Sequence, residues 1–238
     1  MPLSLNSRFC GNVCIIQCSG RIVAGEEVKS LEAALDLGAR EVPRLVLCVS
    51  EVERLDSLGI GLLVRYASRM RKRGGDIRLA SPPPFVVALL KLTMLSGILQ
   101  AHATEDDAIL SFLKQPSAQK AQEKAGPRVL VLDPSADLCA FVKTVLTQHG
   151  FDVKSASYLH DARILLQVDD VDYILVGPDT VQLRSGTAIG SLKALAPKAA
   201  ALQLGADFKC RDALEATEAL LQLFGSAPPF VSSKTPAS

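Results

Sequence analysis

LVLCVSEVERLDSLGIGLLV, residues 45–64, passes from an apolar, β-branched run into a helical pattern across one polar junction. The run RLVLCVS reads as a buried strand. From Asp56 onward Ile60, Leu63, Val64, Ala67 and Met70 recur at helical spacing, with Arg65, Arg69, Arg71, Lys72 and Arg73 on the outer face or at the end. Asp56 and Ser57 are both residue types that cap helix starts. Gly59 and Gly61 then fall in the first turn, where each costs roughly 1 kcal/mol against alanine. That cost implies a close approach to the turn, and the reading is that the backbone of a partner protein comes near.

Working outward, VCIIQCSGRI before this stretch and DIRLAS after it are further strand-like runs, the latter behind the turn Gly74-Gly75. Between the first two strands, EEVKSLEAALDLGARE places Val28, Leu31, Ala34 and Leu35 on one helical stripe and is expected to stop near Gly38. PFVVALLKLTML forms another helix with Pro84 in its first turn, and TEDDAILSFL closes the set with Thr104 as N-cap and acids at the positive end of the dipole. Alternating strands and helices predict a small α/β sandwich.

At 238 residues the chain has room for two domains. Residues 114–127, KQPSAQKAQEKAGP, hold almost no large apolar side chain and read as the joint. The expected division is a first domain over 1–115, a linker over 116–126, a second domain over 127–226 and a loose Pro- and Ser-rich tail over 227–238. A hydrophobic content of 48% with 21% charged residues is that of a globular chain, and a net charge of +1 supplies no field to gather nucleic acid or an acidic membrane. The basic run RYASRMRKRGG is read as a solvated helix face. PFVVALLKLTMLSGIL is interrupted by Lys91 and is too short to span a bilayer. Six cysteines without a signal peptide ahead of them point to a reducing cytoplasm. Cys14 and Cys18 share one strand face with Ile16 and have no ligand partners at zinc spacing, so they are read as small buried hydrophobes and no metal site is expected.

The order and wording of the first half resemble the STAS domain of bacterial anti-sigma factor antagonists. GRIVAGEEVKSLEAAL, LVLCVSEVERLDSLGIGLLV and GGDIRLASPPPFVVALLKLTMLSGIL followed by TEDDAILSFL carry the resemblance over about residues 8–114. It implies that Ser57, directly after Asp56, is a phosphorylated serine. It also implies that Asp56, Ser57, Leu58, Gly59 and Gly61 meet an anti-sigma factor of the serine-kinase type, with a serine phosphatase as a further partner. One departure concerns partner identity: Val23 stands where many of these antagonists carry an acid after the first strand's glycine, and Glu26 and Glu27 are the nearby acids. Physical chemistry points the same way, since a helix start exposes unpaired N–H groups and a positive dipole end that stabilise a phosphate.

RVLVLDPSADLCAFVKTVLTQHGFDVKSAS, residues 128–157, is similar to the opening of a two-component receiver domain, of flavodoxin-like α/β fold, with Asp133 at the end of the first strand. DVDYILVGPDT matches the third strand, yet Gly177 stands at the position of the phosphoacceptor aspartate. Asp179 lies two residues on, beyond Pro178. Lys209, before Cys210, is a relic of the receiver lysine on this reading. The interval from Gly177 to the last helix is too short for every element of a receiver, so about one β-α unit is expected to be missing. The resemblance implies a degenerate receiver-like domain that binds, or pairs as a homodimer, without phosphotransfer.

The sequence therefore reads as a regulatory protein and not an enzyme. There is no G-x-S-x-G elbow, His102, His149 and His160 lack companions suggesting a base, and no nucleotide-binding glycine motif occurs, so no catalytic residue and no cofactor is expected. ATP belongs to the partner kinase. Two alternatives stay open: a phosphotransfer response regulator whose receiver controls a STAS output, and a STAS scaffold subunit of a signalling complex.

Overall fold

The structure is a computed structural model that describes residues 1–114, 126–181, 185–205, 208 and 213–225. The chain divides into two compact units, Met1–Ala121 and Gln122–Ser238. The expected linker, apart from Gly126, the tail, Lys209 and Cys210 all lie outside the described residues.

In the first unit β1 (Ser4–Cys10) and β2 (Val13–Ile22) form an antiparallel hairpin through Gly11 and Asn12, with Gly11 at φ 61 as a two-residue turn requires. There follow α1 (Glu26–Glu41), β3 (Arg44–Leu55), α2 (Ser57–Arg71), β4 (Asp76–Ala80), α3 (Pro84–Leu92), β5 (Gln100–His102) and α4 (Glu105–Leu113). Within this unit the strands run β5-β4-β3-β2-β1, and every neighbouring pair except the hairpin is parallel. Ile16, Leu45, Leu47 and Ile77 of the strands pack with Leu31 and Leu35 of α1 and with Leu62, Leu63 and Met70 of α2 in one apolar core. Thr104 caps α4 by accepting from the Asp107 N–H, and Pro84 opens α3, both as the sequence predicts.

Three features differ from the sequence reading. β1 carries no clear strand pattern, because in SLNSRFC only Leu5 and Phe9 stand out as large apolar residues and both are half-buried. β5 has only three residues, too few for a pattern. Helix α1 does not stop near Gly38 but runs on to Glu41. Gly38 is buried inside it, and a Cβ there would lie 3.0 Å from both the Cys14 Sγ and a Leu45 methyl. The glycine lets the helix lie close against the sheet, and it does not end it.

The second unit comprises β6 (Arg128–Leu132), α5 (Ala136–Gln148), β7 (Asp152–Ala156), α6 (Leu159–Val168), β8 (Tyr173–Val176), the short α7 (Pro178–Val181), α8 (Ser185–Leu195), β9 (Ala200–Gln203) and α9 (Ala213–Gly225). Its strands are all parallel in the order β7-β6-β8-β9. β8 is buried along its whole length and β6 along all but its first residue, as expected of central strands in a parallel sheet covered on both faces. Phe151, Tyr173 and Phe224 meet edge-on, with ring centroids 5.1 to 6.4 Å apart, and tie β7, β8 and α9 together.

Candidate functional site

Helix α2 begins where the strand β3 ends, at the carboxyl edge of the parallel strands. Asp56 is the N-cap, with extended backbone angles. Its Oδ1 accepts from the N–H groups of Leu58 (3.0 Å) and Gly59 (2.9 Å), and its Oδ2 accepts from the N–H of Ala24 (2.7 Å) in the turn after β2. Its own N–H donates to the Ile22 carbonyl at 3.1 Å. The bond from Gly59, reinforced by those from Ala24 and Leu58, holds the Asp56 carboxyl below the usual carboxylate range.

Ser57 is the first residue inside the helix and is exposed; Leu58 beside it is 59% exposed, an apolar side chain held in solvent next to a hydroxyl. The structure thus places Asp56, Ser57 and Leu58 together on one accessible helix start. Gly59 belongs elsewhere. It is buried, and a Cβ on it would meet the Ile22 Cγ2 at 2.7 Å, a Leu55 methyl at 2.8 Å and the Ile22 carbonyl oxygen at 3.0 Å. The close approach inferred from the sequence is therefore internal at this position: β2 and the end of β3 press on the first turn of α2. Gly61 is half-buried, and a Cβ there would find nothing within 4 Å.

A second expectation changes in detail. The N–H groups of Leu58 and Gly59, anticipated as donors for a phosphate, are already engaged by Asp56. A phosphoryl group on Ser57 would project into solvent beside an ionised carboxylate. Of the nearby acids, Glu26 pairs with Lys29 at 2.8 Å and Glu27 lies 3.9 Å from Arg21, so neither adds an unopposed charge, while Val23 is half-buried.

In the second unit Asp133 follows β6 and is fully buried. Its Oδ1 accepts from the Ser135 N–H at 2.8 Å and its Oδ2 from the Asp179 N–H at 3.2 Å, while burial, the largest influence, pushes its carboxyl above the usual range. Gly177 follows β8 at the adjacent strand end, and its N–H donates to the Leu132 carbonyl. Asp179 lies in α7, exposed, and its charge adds to the upward push on Asp133.

Cys14 and Cys18 are buried, and burial raises both thiols to about 12. No group of three metal-ligating side chains occurs among the described residues. His102 has one hydroxyl neighbour that the sequence did not suggest, Ser111 at 3.4 Å, but that hydroxyl donates to the Ala108 carbonyl and accepts from the buried Arg78. No helix among the described residues is long and apolar enough to cross a membrane.

The STAS domain family model matches residues 4–108. Among solved structures, the anti-sigma factor antagonist SpoIIAA in its unphosphorylated form is 17% identical, with 48% of this chain and 99% of that chain covered at a TM-score of 0.42. An anti-sigma factor antagonist from Mycobacterium paratuberculosis is 24% identical, with 46% and 92% covered and a TM-score of 0.42. The Bacillus cell fate determinant SpoIIAA in the phosphorylated form is 17% identical, with 46% and 99% covered and a TM-score of 0.39. No curated protein sequence matches the chain. This is a mixed α/β protein with a STAS-like N-terminal domain over residues 4–108.

Proposed function

We propose that the first domain is an anti-sigma factor antagonist. With Ser57 unmodified it binds an anti-sigma factor of the serine-kinase type through Asp56, Ser57, Leu58 and the open surface at Gly61. The kinase then transfers the γ-phosphoryl group of its ATP to the Ser57 Oγ, releasing ADP and the hydroxyl proton, and the complex separates. A serine phosphatase restores the binding form. The observation that carries this reading is the exposed Ser57 on the first turn of α2, inside the residues that match the STAS model.

The chemistry of the site supports a switch by charge. Phosphorylation adds about −1.5 to −2 charges next to an Asp56 that is held ionised and whose cap bonds leave the neighbouring N–H groups engaged. A partner burying this surface would have to desolvate that charge, at a cost of several kcal/mol. The second domain, taken as residues 127–226 beyond a linker over 116–126, is proposed to be receiver-like without phosphotransfer and to act as a binding or homodimerising module. Its strand order, which follows the flavodoxin-like 2-1-3-4 pattern, supports this, as does Gly177 at the acceptor position.

Binding of the full chain to a serine-kinase anti-sigma factor, measured with and without ATP, tests the proposal. Wild type is expected to dissociate on addition of ATP, Ser57→Ala to stay bound, and Ser57→Asp to bind weakly from the start. Equal binding of all three under both conditions would overturn it.

A further inference from the structure

The basic run at the end of α2 lies far from Ser57: fifteen helical residues separate the two ends, a distance of about 22 Å. There the ends of α1 and α2 enclose a cavity of about 150 Å³. Its apolar surface comes from Val42, Pro43 and Met70, and its cationic surface from Arg40, Arg69 and Arg73, opposed by the single carboxylate Glu41. Arg69 is fixed in place: it donates to Asp36, and its guanidinium carbon lies 4.1 Å from the centre of the Tyr66 ring. Arg65 and Arg71 are likewise taken up by Glu32 and Asp76. Arg40 helps to hold the Asp36 carboxyl below its usual range but forms no ion pair with it, and Arg73 forms none with any carboxylate among the described residues.

Helix C-termini ordinarily repel anions through their exposed carbonyls. Here part of that set is answered from within: Gly38 at the end of α1, and Met70 and Arg71 at the end of α2. The Val42 N–H donates to Gly38, the N–H groups of Arg73 and Gly75 to Met70, and that of Gly74 to Arg71. The cavity thus presents two fork-shaped cations, neither of them in an ion pair among the described residues, above an apolar floor. Its volume of about 150 Å³ and its opening to solvent suit side chains presented by an extended peptide.

We propose that this cavity is a docking site for an acidic peptide segment of a partner protein. A glutamate or aspartate carboxylate lies between Arg40 and Arg73, where guanidinium geometry favours paired hydrogen bonds, and an adjacent apolar side chain rests on Val42, Pro43 and Met70. The site is independent of the Ser57 surface, so the protein can hold a second partner while the first binds or leaves.

Titration of the isotopically labelled full chain with an end-blocked peptide of alternating glutamate and leucine, followed by amide NMR, tests this. The expected result is saturable shifts centred on Arg40, Glu41, Val42 and Arg73 that weaken with added salt. They should be unchanged in Ser57→Asp, and the affinity should fall by about tenfold or more in Arg40→Ser/Arg73→Ser, a double variant whose melting temperature matches wild type. Equal affinity in the double variant, equal affinity for a lysine-leucine peptide, or equal affinity for glutarate alone would each overturn the assignment.

Discussion

The Asp133 carboxylate occupies the place a side chain at position 177 would fill: a Cβ on Gly177 would lie 2.1 Å from the Asp133 Oδ2 and 2.7 Å from its Cβ. The two residues end neighbouring strands and are sterically exclusive. The absence of a side chain at 177 and the inward seat of Asp133 are two sides of one packing arrangement.

Gly177→Ala is accordingly expected to destabilise the second unit by about 1–3 kcal/mol through overpacking. Asp133→Ala alone leaves the Ser135 and Asp179 N–H groups without their acceptor, at a cost of about 1–3 kcal/mol. Combined, the two should cost less than their sum, because removing the carboxylate relieves the 2.1 Å overlap although the 2.7 Å Cβ contact remains. Denaturant unfolding of the four proteins measures the coupling, and strict additivity would show that the two side chains do not compete.

Acetyl phosphate with magnesium is expected to leave wild type unlabelled at Asp133 and Asp179, since the first is buried and hydrogen-bonded and the second projects from α7. Gly177→Asp is expected to remain unlabelled as well, because a side chain at 177 has no room beside Asp133. Intact-mass measurement decides both. A phosphoryl gain on residues 127–225 of wild type would restore the phosphotransfer reading with Asp179 as acceptor.

The cap of α2 separates the contributions of two adjacent residues. Asp56→Ala should lower stability by about 0.5–2 kcal/mol, whereas Ser57→Ala, which breaks no cap bond, should stay within about 0.5 kcal/mol of wild type. Because the Asp56 carboxyl is held below its usual range in the fold, its contribution is present above the unfolded value, near pH 4, and is lost as the pH falls through the depressed one. The stability gap between wild type and Asp56→Ala should therefore narrow on acidification. A gap that widened below pH 4 would contradict the cap geometry.

Gly59 and Gly61 should respond in opposite directions to the same substitution. Gly59→Ala forces a methyl against Ile22 and Leu55 and is expected to destabilise by about 1–3 kcal/mol. Gly61→Ala meets nothing within 4 Å and should stabilise α2 by up to about 1 kcal/mol. Thermal unfolding of the two variants distinguishes them.

These glycines also mark how far the sequence could be read. β3, β6 and β8 were legible because central parallel strands need continuous apolar runs, and α2 and α4 because Asp56 and Thr104 mark their starts. The exposed Ser57 followed from its place after that cap. The reason for Gly59 did not, since it depends on Ile22, a residue distant in the chain and close only in the fold. The same limit hid the engaged N–H groups of Leu58 and Gly59, the passage of α1 through Gly38, and the filling of the Gly177 site by Asp133. Local pattern reports which elements form; close approach between elements is decided by tertiary packing.

The bond from the Ala24 N–H to the Asp56 Oδ2 joins the turn after β2 to the start of α2 through a single carboxylate that also caps the helix. Mechanically the two loops are one body: displacing either strains the other, and a visitor that grips the helix start takes hold of the neighbouring turn as well. Their mutual placement is set by the fold, so under the proposed function a bound partner would lose little entropy in arranging them.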